Sequence, residues 1–125
     1  MPGFTAKSID EMQAIGGGLT KLAGAELGVE SFGMQVFDFP PDFEGYPEHD
    51  HGAEGQEEVY TVLAGSADFV VDGEPVPLVP GRIIRIAPAS SRNLLPGPDG
   101  VRILAIGSVI DGAYERPAGL SLPSD

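Results

Sequence analysis

The chain is 125 residues long, which fits one domain with one hydrophobic core. Its 19 acidic and 7 basic residues give a formal charge of −12, which disfavours nucleic acid and anionic membranes as partners. Cysteine is absent, which excludes disulfides and thiolate metal sites, and no apolar run is long enough to span a bilayer or serve as a secretory signal. We therefore expect a cytoplasmic protein.

Glycine and proline interrupt the sequence throughout. The chain has 18 glycines and 12 prolines, which leave little room for long helices. Short runs rich in β-branched and aromatic residues lie between them, at the spacing typical of strands joined by tight turns. Together with the absence of a heptad or a long repeat, this pattern predicts an all-β sandwich or barrel.

Three segments follow one another along the chain. Residues 1–30 predict an amino-terminal arm and a first strand, although residues 19–29 fit a strand, a helical turn or both. Residues 31–110 carry the strand patterns and are expected to form the barrel domain. Residues 111–125 are rich in proline and glycine and predict an extended carboxyl-terminal tail outside the barrel.

Turn signals bound the predicted strands. Asp72-Gly73 predicts a tight hairpin, Pro80-Gly81 predicts a second turn, and residues 96–100 predict a third. The first strand of the barrel domain alternates apolar with polar or small residues, as a half-buried strand does. The predicted strands are residues 31–39, 58–64, 68–71, 76–79, 83–86, a short strand ending at 95, and 101–106. The side chains expected to line the core are Phe32, Met34, Phe69, Ile84, Ile86, Ile103 and Ile106.

The stretch HDHGAEGQEEVY, residues 49–60, contains both histidines of the chain. In an extended segment, residues two apart point to the same side, so His49 and His51 can direct both rings to one point inside a barrel. A glutamate on the next strand can reach the same point. Two imidazoles and one carboxylate suit zinc, nickel, iron, copper or manganese and leave positions open for a ligand. The alternative is a solvated acidic loop that binds no metal.

Two neighbouring glutamates compete for the carboxylate position. Glu58 shares one face of its strand with Tyr60 and Val62, whereas Glu57 shares the opposite face with Val59. Neither face is plainly polar. Alternation along the strand therefore leaves both glutamates open as ligands.

The spacing from His49 through His51 to Glu58, followed after six residues by Gly65, resembles the first motif of the cupin family of small jelly-roll barrels. The run EEVYTVLAG is similar to the strand of that motif, and the likeness covers about residues 33–107. The resemblance implies an antiparallel jelly-roll β-barrel. It also favours Glu58 over Glu57 as the third metal ligand.

The second motif of the family is matched less fully. Pro80-Gly81, followed by apolar residues and Pro88, resembles its opening, but Arg92 stands where the family has a histidine ligand. A guanidinium there could pair with Glu58 in place of a metal, or lie beside a bound metal and hold a carboxylate or phosphate of an anionic ligand. A solvated arginine at a strand edge is the third possibility. Tyr60 would donate a hydrogen bond to the ligand or simply pack in the core.

The resemblance implies two classes of function. One is a metal-dependent enzyme acting on a small molecule, such as a dioxygenase, isomerase or decarboxylase. The other is a ligand-binding or sensing barrel without catalysis, with or without metal, anchored by Arg92. Of the two, we favour a metal-binding cupin to which no activity is assigned. Similar small cupins commonly form homodimers through edge strands or exchanged arms, so we expect a homodimer here.

Overall fold

The computed structural model describes residues 3–122 and confirms the all-β class. Residues 19–29 contain both a strand and a helical turn, and no helix of the described residues is long and apolar enough to cross a membrane. The helical elements are α1 (Ala23–Leu27) and two short 3-10 helices (Ile9–Glu11 and Ala118–Leu120). The strands are β1 (Ala14–Ile15), β2 (Thr20–Lys21), β3 (Gly33–Phe39), β4 (Gln56–Val71), β5 (Glu74–Leu78), β6 (Ile83–Ile86) and β7 (Arg92–Val109). They pair antiparallel in the order β1-β2-β3-β7-β4-β5, with β6 also on β4.

Two long strands, β4 and β7, pass through both halves of the sheet. The first half of β4 pairs with β6 and with the end of β7, whereas its second half pairs with β5 and with the start of β7. The register shifts between Gly65 and Ala67, which lie opposite Val101 and Pro96. Because the four residues 97–100 of β7 lie opposite the single residue Ser66 of β4, the turn predicted at residues 96–100 is instead a bulge within a continuous strand.

The inner side chains of the two halves meet in one hydrophobic cluster. Tyr60 and Ile103 come from one half and Phe69 and Leu94 from the other, and each is at most 2% exposed. The rings of Tyr60 and Phe69 lie 4.6 Å apart between their centroids, which joins the two halves directly. Full burial of such side chains contributes about 1.5–3 kcal/mol each, so this cluster is the main source of stability.

Strand β3 is covered on both faces, which differs from the half-buried strand predicted. Phe37 packs against the main cluster, whereas Met34 packs with Met12 and Ala23 of the amino-terminal segment. Met34 pairs with Ile106 across the β3–β7 ladder, so both residues lie on the side away from the main core rather than lining it. The reason is that α1 and its flanking segment add a second apolar layer there. The division of the chain at residues 30 and 110 stays a prediction.

The turn between β4 and β5 is the hairpin predicted at Asp72-Gly73. Both residues have positive φ, 50° and 82°, as a type I′ turn requires. Gly65, at the bend of β4, also has positive φ, +76°, but its surroundings differ. A Cβ at Gly65 would lie 2.1 Å from the carbonyl oxygen of Gly100, whereas a Cβ at Gly73 would meet nothing within 4 Å. The bend therefore requires glycine for both its conformation and its space.

We expect Gly65→Ala to lower the free energy of unfolding more than Gly73→Ala. Both changes place a side chain at positive φ, which costs on the order of 1–3 kcal/mol. Only Gly65→Ala also forces two strands apart. Urea denaturation of both variants measures the difference, and equal losses would show that the close approach at the bend is relieved without cost.

Candidate metal and ligand site

The loop that carries both histidines is fastened to the start of β7. His49 and Arg92 form an isolated antiparallel bridge, with N–H···O distances of 3.1 and 2.9 Å between their backbones. The backbone N–H of His51 donates to the carbonyl oxygen of Pro88 at 2.8 Å. Directly opposed residues of an antiparallel pair project to the same side, so the side chains of His49 and Arg92 share the inner face.

Strand β4 places Glu58 on the inner face and Glu57 on the outer one. The Glu58 side chain is 12% exposed, whereas the carboxylate of Glu57 pairs with Arg85 at the surface. Gly107 lies opposite Glu58, and a Cβ at Gly107 would lie 3.0 Å from Cγ of Glu58. The small residue thus leaves room for the glutamate. Of the two candidates, it is Glu58 that the structure brings to the histidines.

His49, His51 and Glu58 converge on one point. Their ligand atoms all lie within 4.8 Å of one another, and Nε2 of His51 is 3.2 Å from Oε1 of Glu58. Nδ1 of His49 lies 2.8 Å from the carbonyl oxygen of Pro47. Since a carbonyl only accepts, this Nδ1 carries a proton, and Nε2 of the neutral ring presents its lone pair. The three side chains together can hold a metal ion.

Arg92 is buried completely and is bound within the protein. It has 0% exposure, and its Nη1 donates to Oε1 of Glu58 at 2.6 Å. Nη2 donates to the carbonyl oxygens of Ala87 at 2.8 Å and Ser90 at 2.9 Å. The guanidinium is therefore neither solvated nor part of the cavity wall. It pairs with Glu58, the first of the arrangements considered from the sequence.

Two buried tyrosines support Glu58 from the core. The Tyr60 hydroxyl donates to Oε1 of Glu58 at 2.6 Å, and it lies 3.3 Å from the Tyr46 hydroxyl. Because the single proton of Tyr60 goes to the carboxylate, Tyr46 must donate to Tyr60. Burial raises the pKa of Tyr46 to about 12. Burial is also the largest cause of the raised pKa of Tyr60, and the neighbouring Tyr46 and Glu58 raise it further. Both hydroxyls keep their protons at neutral pH.

A cavity of about 540 Å³ opens over the three converging residues. A cavity of similar volume, about 580 Å³, lies beside Gly65 and Arg102, but none of the three reaches it. Sequence reasoning missed most of the lining of the first cavity. Gln56 could have been predicted, because this residue precedes Glu58 by two positions and therefore lies on the same strand face. Its Nε2 donates to Oε2 of Glu58 at 3.3 Å. The other lining residues that were not foreseen are Gln35, Phe37, Tyr46, Glu54, Val109, Ala113, Tyr114, Glu115, Pro117 and Leu120.

The fold matches solved structures of cupins. A cupin protein of Bacteroides fragilis is 21% identical, with 100% of this chain and 99% of that chain covered, at a TM-score of 0.69. The chain has the cupin fold. A predicted oxalate decarboxylase of Thermotoga maritima is 23% identical over 62% of this chain and 66% of that one, at a TM-score of 0.56. A sugar phosphate isomerase from a cupin superfamily, of Silicibacter pomeroyi, is 19% identical over 71% of this chain and 57% of that one, at a TM-score of 0.59.

The antiparallel jelly-roll expected from the cupin resemblance is thus confirmed at the level of the fold. No protein-family model and no curated protein matches the sequence. The cupin structures differ among themselves in the activities that they are named for. The cupin fold therefore selects no reaction, and function has to be argued from the site.

We expect Glu58→Gln to destabilise the protein far more than Glu57→Gln. The first change leaves the charge of Arg92 buried without its partner, which costs about 3–5 kcal/mol. The second removes the partner of Arg85, in an exposed pair that contributes about 0–1 kcal/mol. Thermal or urea unfolding of the two variants checks this, and similar small losses would mean that solvent reaches Arg92.

Proposed function

We propose that this cupin-fold protein holds a divalent metal ion at His49, His51 and Glu58 and binds a small molecule in the cavity above them. The observation that carries the proposal is that both histidines of the chain meet a carboxylate there, with the lone pair of His49 Nε2 left free by Pro47. The donor set suits zinc, nickel, iron, manganese or copper. When bound, such an ion would polarise a ligand oxygen and leave coordination positions open. We assign no reaction to this site.

The carboxylate retains capacity for a metal despite its ion pair. Oε1 of Glu58 already accepts from Arg92 and Tyr60, each at 2.6 Å. Oε2 accepts, among the described residues, only the long hydrogen bond from Gln56 at 3.3 Å. A metal would therefore share Glu58 with a guanidinium, which repels it. We expect an affinity below that of a site with three unshared ligands.

A second candidate function is a ligand-binding barrel without metal. The ion pair of Arg92 with Glu58 favours it, because the pair already neutralises the carboxylate. In that case His49 and His51 would bind the small molecule by hydrogen bonds. The two candidates share the cavity and differ only in the ion.

We expect protein prepared without an affinity tag to bind one divalent ion per chain, and His49→Ala to lose that ion while keeping the fold. Loss of a residue that supports a metal ligand weakens metal binding by about 10- to 100-fold, and loss of a direct ligand should weaken it more. Isothermal titration with zinc and nickel, together with elemental analysis, provides the measurement. Glu57→Gln is the matched control, because it removes a neighbouring carboxylate from the outer face.

Metal titration of the wild type and of Arg92→His side by side separates the two candidates. If the wild type binds no metal, this change supplies a third imidazole and frees Glu58, so the variant should gain affinity. If the wild type binds metal as proposed, the variant should bind as well or more tightly. Wild-type protein with no detectable affinity would reject the metal site and leave the metal-free barrel.

We also propose that the protein is a cytoplasmic homodimer. Exposed apolar side chains support the homodimer. Ile83, on the edge strand β6, is 67% exposed, and Leu63 nearby on β4 is 43% exposed. Thr61 pairs with Ile83 across the two strands, and Leu63 lies two residues after Thr61 on the same strand face. Ile83 and Leu63 therefore share the outer face. Light scattering should give twice the chain mass, and Ile83→Lys should shift it toward the monomer. Monomeric wild type at high concentration would contradict the dimer.

A further inference from the structure

The carboxyl-terminal segment of residues 111–120, here called the strap, lies along the cavity instead of leaving the fold. It follows directly on Ile110, whose backbone N–H donates to Gly55 at the end of the histidine loop at 3.1 Å. The strap residues that line the cavity are Ala113, Tyr114, Glu115, Pro117 and Leu120. One wall of the ligand site is therefore built from a part of the chain that follows the last strand.

Two contacts fix the strap on either side of Glu115. Nη2 of Arg116 donates to the carbonyl oxygens of Gly24, at 3.3 Å, and of Val29, in and just after α1. A cation suits the carbonyl groups at the end of a helix. On the other side, the Tyr114 hydroxyl lies over Gly33, where a Cβ would be 2.8 Å from it. Glu115 is thus held at the cavity between two anchored neighbours.

The charges that face the cavity are negative. Its carboxylates are Glu54, Glu58 and Glu115, and none of the described residues that line it is a lysine or an arginine. The guanidinium of Arg92 lies behind Glu58 with its donors used by the protein. An anionic group at the outer end of a ligand would meet Glu54 and Glu115, with no lysine or arginine among the described lining residues to compensate. The aromatic residues Phe37 and Tyr114 also line the cavity, and aromatic rings attract cations and apolar groups.

We propose that the strap is a binding wall of this site and that its Glu115 selects ligands whose outward end is neutral or cationic rather than anionic. This inference rests on the proposed small-molecule cavity, but not on the metal ion. It replaces the anionic ligand that the sequence suggested for Arg92. The two parts, closure by the strap and selection by Glu115, are tested separately on metal-free protein.

Closure can be measured through the histidines, because the chain has only two and both line the cavity. Their modification by diethyl pyrocarbonate, measured at one pH in the presence of a chelator, reports access to the cavity. Arg116→Ala should release the strap and raise the modification rate about tenfold, equivalent to about 1.4 kcal/mol of local opening. Gly33→Ala, which displaces Tyr114 at the other anchor, should also raise the rate.

Arg85→Ala is the control for closure, since Arg85 pairs with Glu57 on the outer face. Its modification rate should equal that of the wild type. Unchanged rates in both Arg116→Ala and Gly33→Ala would overturn the strap as a wall. So would an equal rise in Arg85→Ala, which would indicate general loosening of the protein.

Selection can be measured with three nitroxides that share one ring and carry an ammonium, a hydroxyl or a carboxylate group. Their broadening of the histidine ring signals in proton NMR should fall in that order. Glu115→Gln should reduce the ratio of cation to anion broadening by about twofold to threefold, the effect of one charge at close range in a solvated site. Glu57→Gln removes the same charge from the outer face and should change the ratio less.

Equal broadening by the cationic and anionic nitroxides, or equal changes in the two glutamine variants, would overturn the selection by Glu115. Neither result depends on metal binding. A failed metal titration with successful nitroxide discrimination would reject the metal site and keep the ligand class, and the reverse result would do the opposite.

Discussion

The buried ion pair between Arg92 and Glu58 is the interaction on which the site depends. Removing two charges from water costs several kcal/mol for each ion, so such a pair is a weak source of net stability. Its effect is positional. The guanidinium binds the carbonyl oxygens of Ala87 and Ser90 in the loop before β7, while the backbone of Arg92 holds His49. One residue thus sets the relative positions of a loop, a histidine and the carboxylate.

The hydrogen bonds around Glu58 decide what this cupin-fold site can do. Arg92 and Tyr60 both donate to the same oxygen, and Tyr46 supports Tyr60 from behind. These donors fix the orientation of the carboxylate, whose Oε1 also lies 3.2 Å from Nε2 of His51. They also withdraw negative charge from a potential metal ligand. Preorganisation of the three side chains favours an ion here, whereas the positive charge of the guanidinium opposes it.

Local signals in the sequence predicted the parts of the fold that depend on neighbouring residues. Asp72-Gly73 forms its hairpin because positive φ at both positions is a local requirement. Alternation along β4 defined two faces, but could not choose between Glu57 and Glu58. That choice depends on the core contacts of Tyr60 and Phe69, which belong to different halves of the sheet.

The parts that sequence reasoning missed depend on contacts between distant segments. The strap has no hydrophobic period, and its anchor joins Arg116 to a carbonyl group 87 residues earlier. The second apolar layer on β3 also depends on distant contacts. The alternation of β3 predicts Met34 to line the main core, whereas Met12 and Ala23 cover this residue on the other side of the sheet. Residue patterns carry no information on such pairings.

The few basic residues explain why an acidic protein has a cavity without a lysine or arginine in its described wall. Only seven are present, and several fasten one segment to another: Arg92 holds the histidine loop and Arg116 holds the strap. Arg102 binds Asp38 of β3 at 2.7 Å and Asp10 of the amino-terminal segment at 2.5 Å. Basic side chains that bind other segments of the protein are not available to bind a ligand. The carboxylates of Glu54 and Glu115 in the cavity wall then make the electrostatic potential there negative, which disfavours anionic ligands.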